Sequence, residues 1–490
     1  MRLLATFIMV IALFFGIFTG CGIPQQQYDD LAAQLESVQK ELQSVQNSLS
    51  QAQDEKDELE SKLEQAEDQI STLLKRMSPV IDFTSTAFDG LTVTIDGMAR
   101  PGIYDSTITR VQWDWGDGSV VDLSLPASHN YTIYGEYTVA ATAYQSDDLT
   151  VTKTMNINIP LTFPDTNLEA VIRNAINIPE GPIYVPDVLS LTELDARERD
   201  ISNLTNLEYC INLQQVEFDG NKISDLKALA DLTDLHFLSI SDNNISDLSP
   251  LADLTGLQFL GLGRNHISDV TPLVGLTDLG MLFLHDNNIS DISSLAGLTN
   301  LQTLNIGGNN ISDLSPLVGL TNLQLLAAHQ GNISDLSPLA GLTNLREIEL
   351  EDNDVSDLSP LAGLANLEIL KIPGNNVNNL SPLASLTSLK EALLCTNDIS
   401  DISPLATLTN LEKLDLRDNN IVDISPLVGL KNLYWLGLDD NDINDISSLV
   451  ENSGLSEGDH LDLRSNPLNT ASINTYIPQL EARGVTVLSP

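Results

Sequence analysis

Carboxylates, imidazoles and thiols are the groups in this 490-residue chain that could do chemistry, and their spacing limits what each can do. Aspartates Asp225, Asp247, Asp269, Asp291, Asp313, Asp335, Asp357, Asp401, Asp423 and Asp445 fall in one 22-residue register, broken only by Asn379. Such a column is either a row of turn carboxylates, each bonded to its own backbone, or a row of calcium ligands. The first is expected, because local N–H donors offset the repulsion between like charges. His285 and His329 stand two periods apart, roughly 10 Å on a sheet with strands about 4.8 Å apart, too far to share one metal without a third ligand. Cys210 and Cys395 lie about eight periods apart and cannot be bridged. The chain has no Ser/His/Asp or Cys/His arrangement, no phosphate loop and no metal-ligand spacing. A non-enzyme without a cofactor is therefore expected.

The frame that positions these residues is one phrase repeated. Leu235 to Asn243 reads LHFLSISDN, Leu257 to Asn265 reads LQFLGLGRN, and Leu279 to Asn287 reads LGMLFLHDN. The pattern LxxLxLxxN thus returns every 22 residues, a period that defines a solenoid whose units are stable only when stacked. Its asparagines are Asn221, Asn243, Asn265, Asn287, Asn309, Asn353, Asn375, Asn397, Asn419 and Asn441, with Asn466 three residues late and Gly331 in place of one. Each Asn is expected to satisfy backbone groups where the chain turns inward. The following NxISDLSPLxxLTNL carries Ser-Pro pairs such as Ser249-Pro250 and Ser315-Pro316, read as a helix cap followed by a first helical residue, so short helical turns should line the convex side. Thirteen units are expected, counting a worn first one with Arg199 at the ladder position and a lengthened last one.

Side chains alternate across a strand, so the residues between the core leucines face the concave side. The column before the second leucine reads Gln215, Phe237, Phe259, Met281, Thr303, Leu325, Glu347, Ile369, Glu391, Lys413, Trp435 and His460, with Phe283 in the next outward column. Phe237 to Leu325 make an apolar stripe of roughly 20 Å. Contiguous exposed apolar surface marks interaction sites, so Phe237, Phe259, Met281, Phe283, Leu325, Ile369 and Trp435 are the candidate partner-binding residues. The alternative is a column half shielded by curvature that merely tolerates apolar residues. Glu347, Glu349, Glu351 and Asp352, with Lys371 nearby, form an acidic block beside the stripe that is expected to be solvated.

Upstream, Met1 to Gly20 places Arg2 before a long apolar run, the layout of an export signal, and Cys21 follows at once. Residues 21–27 link to an apolar series at Tyr28, Leu31, Leu35, Val38, Leu42, Val45, Leu49, Ala52, Lys56, Leu59, Leu63, Ala66, Ile70, Leu73 and Met77. Its steps alternate three and four without error, which specifies a coiled-coil stalk over 28–78. Polar Lys56 in the seam favours a parallel dimer over a trimer. Pro79 ends the rod, and residues 79–160 alternate Thr, Val, Tyr and Ile between turns, the mark of antiparallel strands. The net charge of −45 repels nucleic acid and anionic membrane alike and argues against both as partners of the body.

Three resemblances follow from these words. Phe18-Thr19-Gly20-Cys21 resembles a bacterial lipobox, with Phe18 where Leu is preferred, and implies cleavage before Cys21 and acylation of its thiol. Trp113-Asp114-Trp115-Gly116-Asp117-Gly118-Ser119, then His129-Asn130-Tyr131 and Gly135-Glu136-Tyr137-Thr138-Val139, resemble the polycystic kidney disease (PKD) domain, an immunoglobulin-like sandwich that serves as spacer or adhesive module. Asp114 and Asp117 there are expected to be turn aspartates rather than a calcium site. The 22-residue period, the SDLSPL segment, Phe163-Pro164-Asp165 with Leu168 to Ile176, and Ser472 to Arg483 with Val485-Thr486-Val487 resemble internalin-type bacterial leucine-rich repeats with their two caps, here 161–190 and 470–490 around repeats at 191–469. That resemblance implies a curved parallel sheet offered to a partner. The expected fold is multidomain: a leucine-rich repeat solenoid preceded by a PKD sandwich and a long coiled coil. The expected function is a lipid-anchored, extracytoplasmic surface protein whose concave face binds a protein or glycan and whose stalk forms a parallel homo-oligomer. The alternative is a structural envelope component held together by the coil.

Overall fold

The computed structural model describes residues 24–103 and 105–489. The expected export signal and Cys21 lie outside the described residues. Among the described residues no helix is long and apolar enough to cross a membrane.

Helix α1 (Gln25–Met77) runs 53 residues without a break, about 80 Å at 1.5 Å per residue. The heptad seam is bare in the single chain: Val45, Leu49, Leu59 and Leu63 are all more than half exposed. A helix polar on every other face keeps such a seam only if something covers it.

Seven strands follow: β1 (Val80–Asp89), β2 (Thr92–Arg100), β3 (Ile108–Asp114), β4 (Val120–Asp122), β5 (Ala127–Asn130), β6 (Glu136–Gln145) and β7 (Thr150–Asn158). They form one sheet in the order β1-β2-β5 and another in the order β4-β3-β6-β7. Trp113 and Trp115 are fully buried and stack at 4.9 Å, and the indole N–H of Trp113 donates to Leu123 O. Asp114 Oδ1 accepts from Gly116 N and Asp117 Oδ1 from Ser119 N, so both carboxylates serve the turn as expected. Asp117 Oδ2 also meets His129 Nε2 at 2.7 Å. Gly116 is required there: its φ is +79°, and a Cβ would strike Thr138 O.

The solenoid is a fourteen-stranded parallel sheet, thirteen repeat strands from Glu193–Asp195 to His460–Asp462 and a last strand, Thr486–Leu488, from the C-terminal cap. Each strand pairs in register with the next, Phe237 with Phe259 and Phe259 with Met281, so columns in the sequence are columns on the sheet. Behind it the repeat leucines and isoleucines are buried, most of them completely. Cys210 is buried among them and Cys395 is half-buried; both are free thiols, and burial pushes them up to about 12 and about 11. At the N-terminal end, helix α2 (Thr166–Ile176) is capped by Asp165, whose Oδ1 accepts from Asn167 N and Leu168 N. Its Oδ2 accepts from Ser202 N, tying the cap to the first repeat. At the other end a π-helical turn (Ser472–Tyr476) runs into a short α-helix (Ile477–Ala482).

The ladder asparagines behave as their spacing requires. Asn287 Oδ1 accepts from Ile267 N of the preceding repeat at 3.0 Å, while Nδ2 donates to Leu262 O and Leu284 O at 3.0 Å. The same pattern recurs from Asn221 to Asn466, and Gly331 leaves Ile311 N–H without a ladder acceptor. A residue in the left-handed region precedes most rungs, often Asp, as at Asp242, Asp286 and Asp352.

The convex segments are single 3-10 turns such as Ser315–Gly319. One expectation is corrected here. The serine does not cap the turn with its side chain; it is the first helical residue, with Pro second. The cap function falls to the aspartate two residues upstream: Asp313 Oδ1 accepts from Ser315 N at 2.8 Å and Asp313 Oδ2 from Ser315 Oγ at 2.9 Å. A one-turn 3-10 segment frees few N–H groups, and an Asx-type bond from the preceding turn reaches the one that matters. Asp247, Asp291, Asp335, Asp357 and Asp401 are held below the usual carboxylate range by these serine N–H bonds. The aspartate column is thus a row of local caps.

Candidate partner-binding face

The strands place alternate side chains on the concave face, and the 22-residue register brings the N-terminal aromatic residues together. Phe237 and Phe259 stack with ring centroids 4.1 Å apart and planes 10° apart. Phe259 then meets Phe283 at 5.4 Å, tilted by 38°. Met281, paired with Phe259 in the ladder, is 44% exposed beside them. Half-exposed rings in mutual contact give a continuous apolar surface on the strands, built of residue types enriched at interface cores.

The other candidates are placed differently. Leu325 is half-buried and reached from Met281 only across Thr303. Ile369 is cut off from it by Glu347, and Trp435 from Ile369 by Glu391 and Lys413. Trp435 has its own surroundings, with Lys413 Nζ and Arg417 Cζ 5.8 and 5.7 Å from its ring centroid. The apolar stripe proper is therefore Phe237, Phe259, Met281 and Phe283, and Trp435 is a separate cationic-aromatic spot.

The acidic block is not left to solvent alone. Lys371 Nζ meets Glu347 Oε1 at 2.9 Å and also bonds Glu349 Oε1, so two of the carboxylates are bridged. Burial of Lys371 opposes its charge, but these two bonds outweigh it and hold its ammonium above the usual lysine range. Glu351 Oε2 is buried without a partner, and burial raises the Glu351 carboxyl.

Spacing arguments missed two features. In one column Gly263, His285, Gly307 and His329 alternate, and each imidazole lies where a Cβ on the preceding glycine would be. His285 is consequently pressed against the sheet with Nδ1 unpartnered, and burial lowers its pKa. No groups of three or more His, Cys, Asp or Glu that could hold a metal occur among the described residues. The second feature is another asparagine ladder, on the flank where the chain enters the strands: Asn300, Asn322, Asn344, Asn366, Asn410 and Asn432 each donate Nδ2 to a threonine carbonyl of the preceding repeat at 2.8–2.9 Å. The recurring LTNL was its visible signal.

A parallel in-register sheet built from 22-residue repeats and capped at both ends defines a leucine-rich repeat solenoid. Residues 233–275, 278–319, 299–341 and 387–429 match the family of leucine-rich repeats in two copies, and residues 76–159 match the PKD domain family. Among solved structures, the chain is similar to an internalin, InlF, from Listeria monocytogenes, with 33% identity over 66% of this chain and 95% of that one and a TM-score of 0.64. Internalin C2 of the same organism is 40% identical over 43% of this chain and 94% of its own, with a TM-score of 0.42. A leucine-rich repeat protein of Leptospira interrogans, 18% identical over 62% of this chain and 97% of its own with a TM-score of 0.53, shares the fold. No curated protein matches the chain. The chain belongs to the internalin-type leucine-rich repeat proteins, with a PKD-like domain ahead of the repeats. Proteins with this fold are typically protein-binding adhesion or recognition modules, generally non-enzymatic, and internalin-like relatives are extracellular or surface proteins.

Proposed function

We propose that this chain is a surface-anchored recognition protein that binds a protein partner through the Phe237, Phe259, Met281 and Phe283 cluster on the concave face. The observation that carries this reading is the Phe237–Phe259 stack with Phe283 against it and Met281 exposed beside it. An apolar cluster of this kind on a protein with a net charge of −45 is costly in water unless a partner covers it. The acylated Cys21 supplies the anchor, and the bare heptad seam of α1 pairs with a second copy in parallel, since lipid at one end aligns the two chains.

The test is capture of a surface protein by the mature chain, comparing wild type with Phe237→Ser, Phe259→Ser and Met281→Ser combined. These side chains are half-exposed or exposed, so the variant is expected to keep the wild-type fold, which circular dichroism checks before capture is compared. Loss of a specific partner, with affinity down by about 100-fold or more, supports the cluster as the site. Equal capture by both proteins refutes it and leaves a structural role, with the coil as the functional element.

A further inference from the structure

Beside the aromatic cluster, on the flank where the chain enters the strands, lies an open groove of about 670 Å³. Its walls are two columns of carboxamides. Gln258, Gln302 and Gln324 occupy the position after the first leucine of their repeats, and Asn300, Asn322 and Asn344 belong to the flank ladder. All six side chains are exposed. The asparagine Nδ2 groups are held by threonine carbonyls at 2.8–2.9 Å, and this fixes the amides. Their Oδ1 atoms accept no hydrogen bond among the described residues, so they present oriented acceptors to the groove.

The recess exists because of Gly280. It interrupts the glutamine column between Gln258 and Gln302, yet nothing in the backbone demands glycine there. Its φ is not in the left-handed region, and an added Cβ would come no closer than 3.7 Å to any atom, the nearest being Gln258 O. A side chain at this position would simply fill the groove. On the floor beside Gly280 lies the exposed thioether of Met281; the one charged lining residue is Asp278.

We propose that the Gly280 groove binds an uncharged oligosaccharide. Carboxamides carry a donor and an acceptor side by side, matching the paired hydroxyls of a sugar ring, and the columns repeat at the strand spacing of about 4.8 Å, a step comparable to one sugar unit of an extended glycan. With no cation in the lining, a carboxylate at Asp278 and a net charge of −45, the groove rejects anionic glycans and phosphates. A single Met281 and the bare Gly280 backbone offer a shallow apolar floor to the C–H face of one ring, but no pocket for the side-chain anchors of a peptide. The groove shares Met281 with the concave cluster, but its carboxamides and Gly280 lie outside that cluster, so it is tested apart from the phenylalanine stack.

The experiment is titration of the mature chain with neutral hexasaccharides of glucose, mannose, galactose and N-acetylglucosamine, with a hexamer of galacturonate as the anionic control. Gly280→Gln, Gln302→Ala and the pair Phe237→Ser with Phe259→Ser are titrated alongside, all with melting temperatures matched to wild type. Binding of at least one neutral hexamer, weakened about tenfold or more by Gly280→Gln and by Gln302→Ala and changed less than about twofold by the phenylalanine pair, supports the groove. Four outcomes overturn it: no neutral hexamer bound by wild type, binding indifferent to Gly280→Gln, equal binding of galacturonate, or loss in the phenylalanine pair alone, which places the ligand on the concave cluster.

Discussion

Replacing Asn287 by alanine isolates the energetic role of a single rung. The wild-type carboxamide is 8% exposed; it accepts from Ile267 N and donates to Leu262 O and Leu284 O. The two carbonyls keep other donors after the change, Leu262 O from Asn265 Nδ2 at 3.1 Å and Leu284 O from Asn309 Nδ2 at 2.9 Å. The buried Ile267 N–H keeps none from the ladder. One orphaned buried donor costs about 1–3 kcal/mol, so Asn287→Ala is expected to lose about 2 kcal/mol. Asn300→Ala on the flank also breaks a side-chain bond, to Thr277 O at 2.9 Å, but that bond is exposed and water replaces it, so its cost is below about 0.5 kcal/mol. Urea unfolding followed by far-ultraviolet circular dichroism reads both as midpoint shifts at unchanged slope. An Asn287→Ala midpoint equal to wild type, or an Asn300→Ala loss as large as that of Asn287→Ala, refutes the idea that the ladder acts by satisfying buried backbone.

Three further outcomes follow from charge and from the seam. The capping aspartates have folded pKa values lowered by serine N–H bonds, so their stabilisation is complete above the unfolded value near 3.9 and is lost as pH falls through the folded values; thermal melts should be steeply destabilised below about pH 4. Glu351 has the opposite sign: burial raises its carboxyl, so Glu351→Gln should melt higher than wild type at pH 7, and the gain should vanish as pH drops below the raised value; no gain at pH 7 would contradict its unpartnered burial. In solution the wild-type chain should have the mass of a dimer by light scattering, and Leu49→Glu with Leu63→Glu should return it to a monomer, since both side chains are exposed at 69% and 60% in the lone helix. A dimer that survives both charges would locate the contact elsewhere.

Most of the fold was legible because its determinants are periodic. Leucine and asparagine at fixed places in 22 residues dictate a parallel in-register stack, and that register alone put Phe237 beside Phe259. The breaks were legible too: Glu347, Glu391 and Lys413 already separate Ile369 and Trp435 from the stripe in the column itself. Spacing does not encode how a side chain lies down. The sheltering of His285 over Gly263, the bridging of Glu347 and Glu349 by Lys371 and the acceptors frozen along the flank depend on rotamers chosen by neighbours in three dimensions. The Ser-Pro segment was misassigned for a related reason: sequence shows both a serine and an aspartate able to cap, and only the turn geometry selects the aspartate.

The glycine at position 331 has a mechanical meaning. Asn309 and Asn353 clamp the repeats on either side, but the coil between them lacks the side-chain strut that locks its neighbours. The parallel sheet and the flank asparagines run through this position in register, so the missing strut is a local weakness, not a gap. Under load the stack is expected to yield first at this coil, between the part that bears Phe237, Phe259 and Phe283 and the part that bears Trp435. Gly331→Asn, which restores an acceptor for Ile311 N–H, is expected to raise the force at which the array opens in single-molecule pulling.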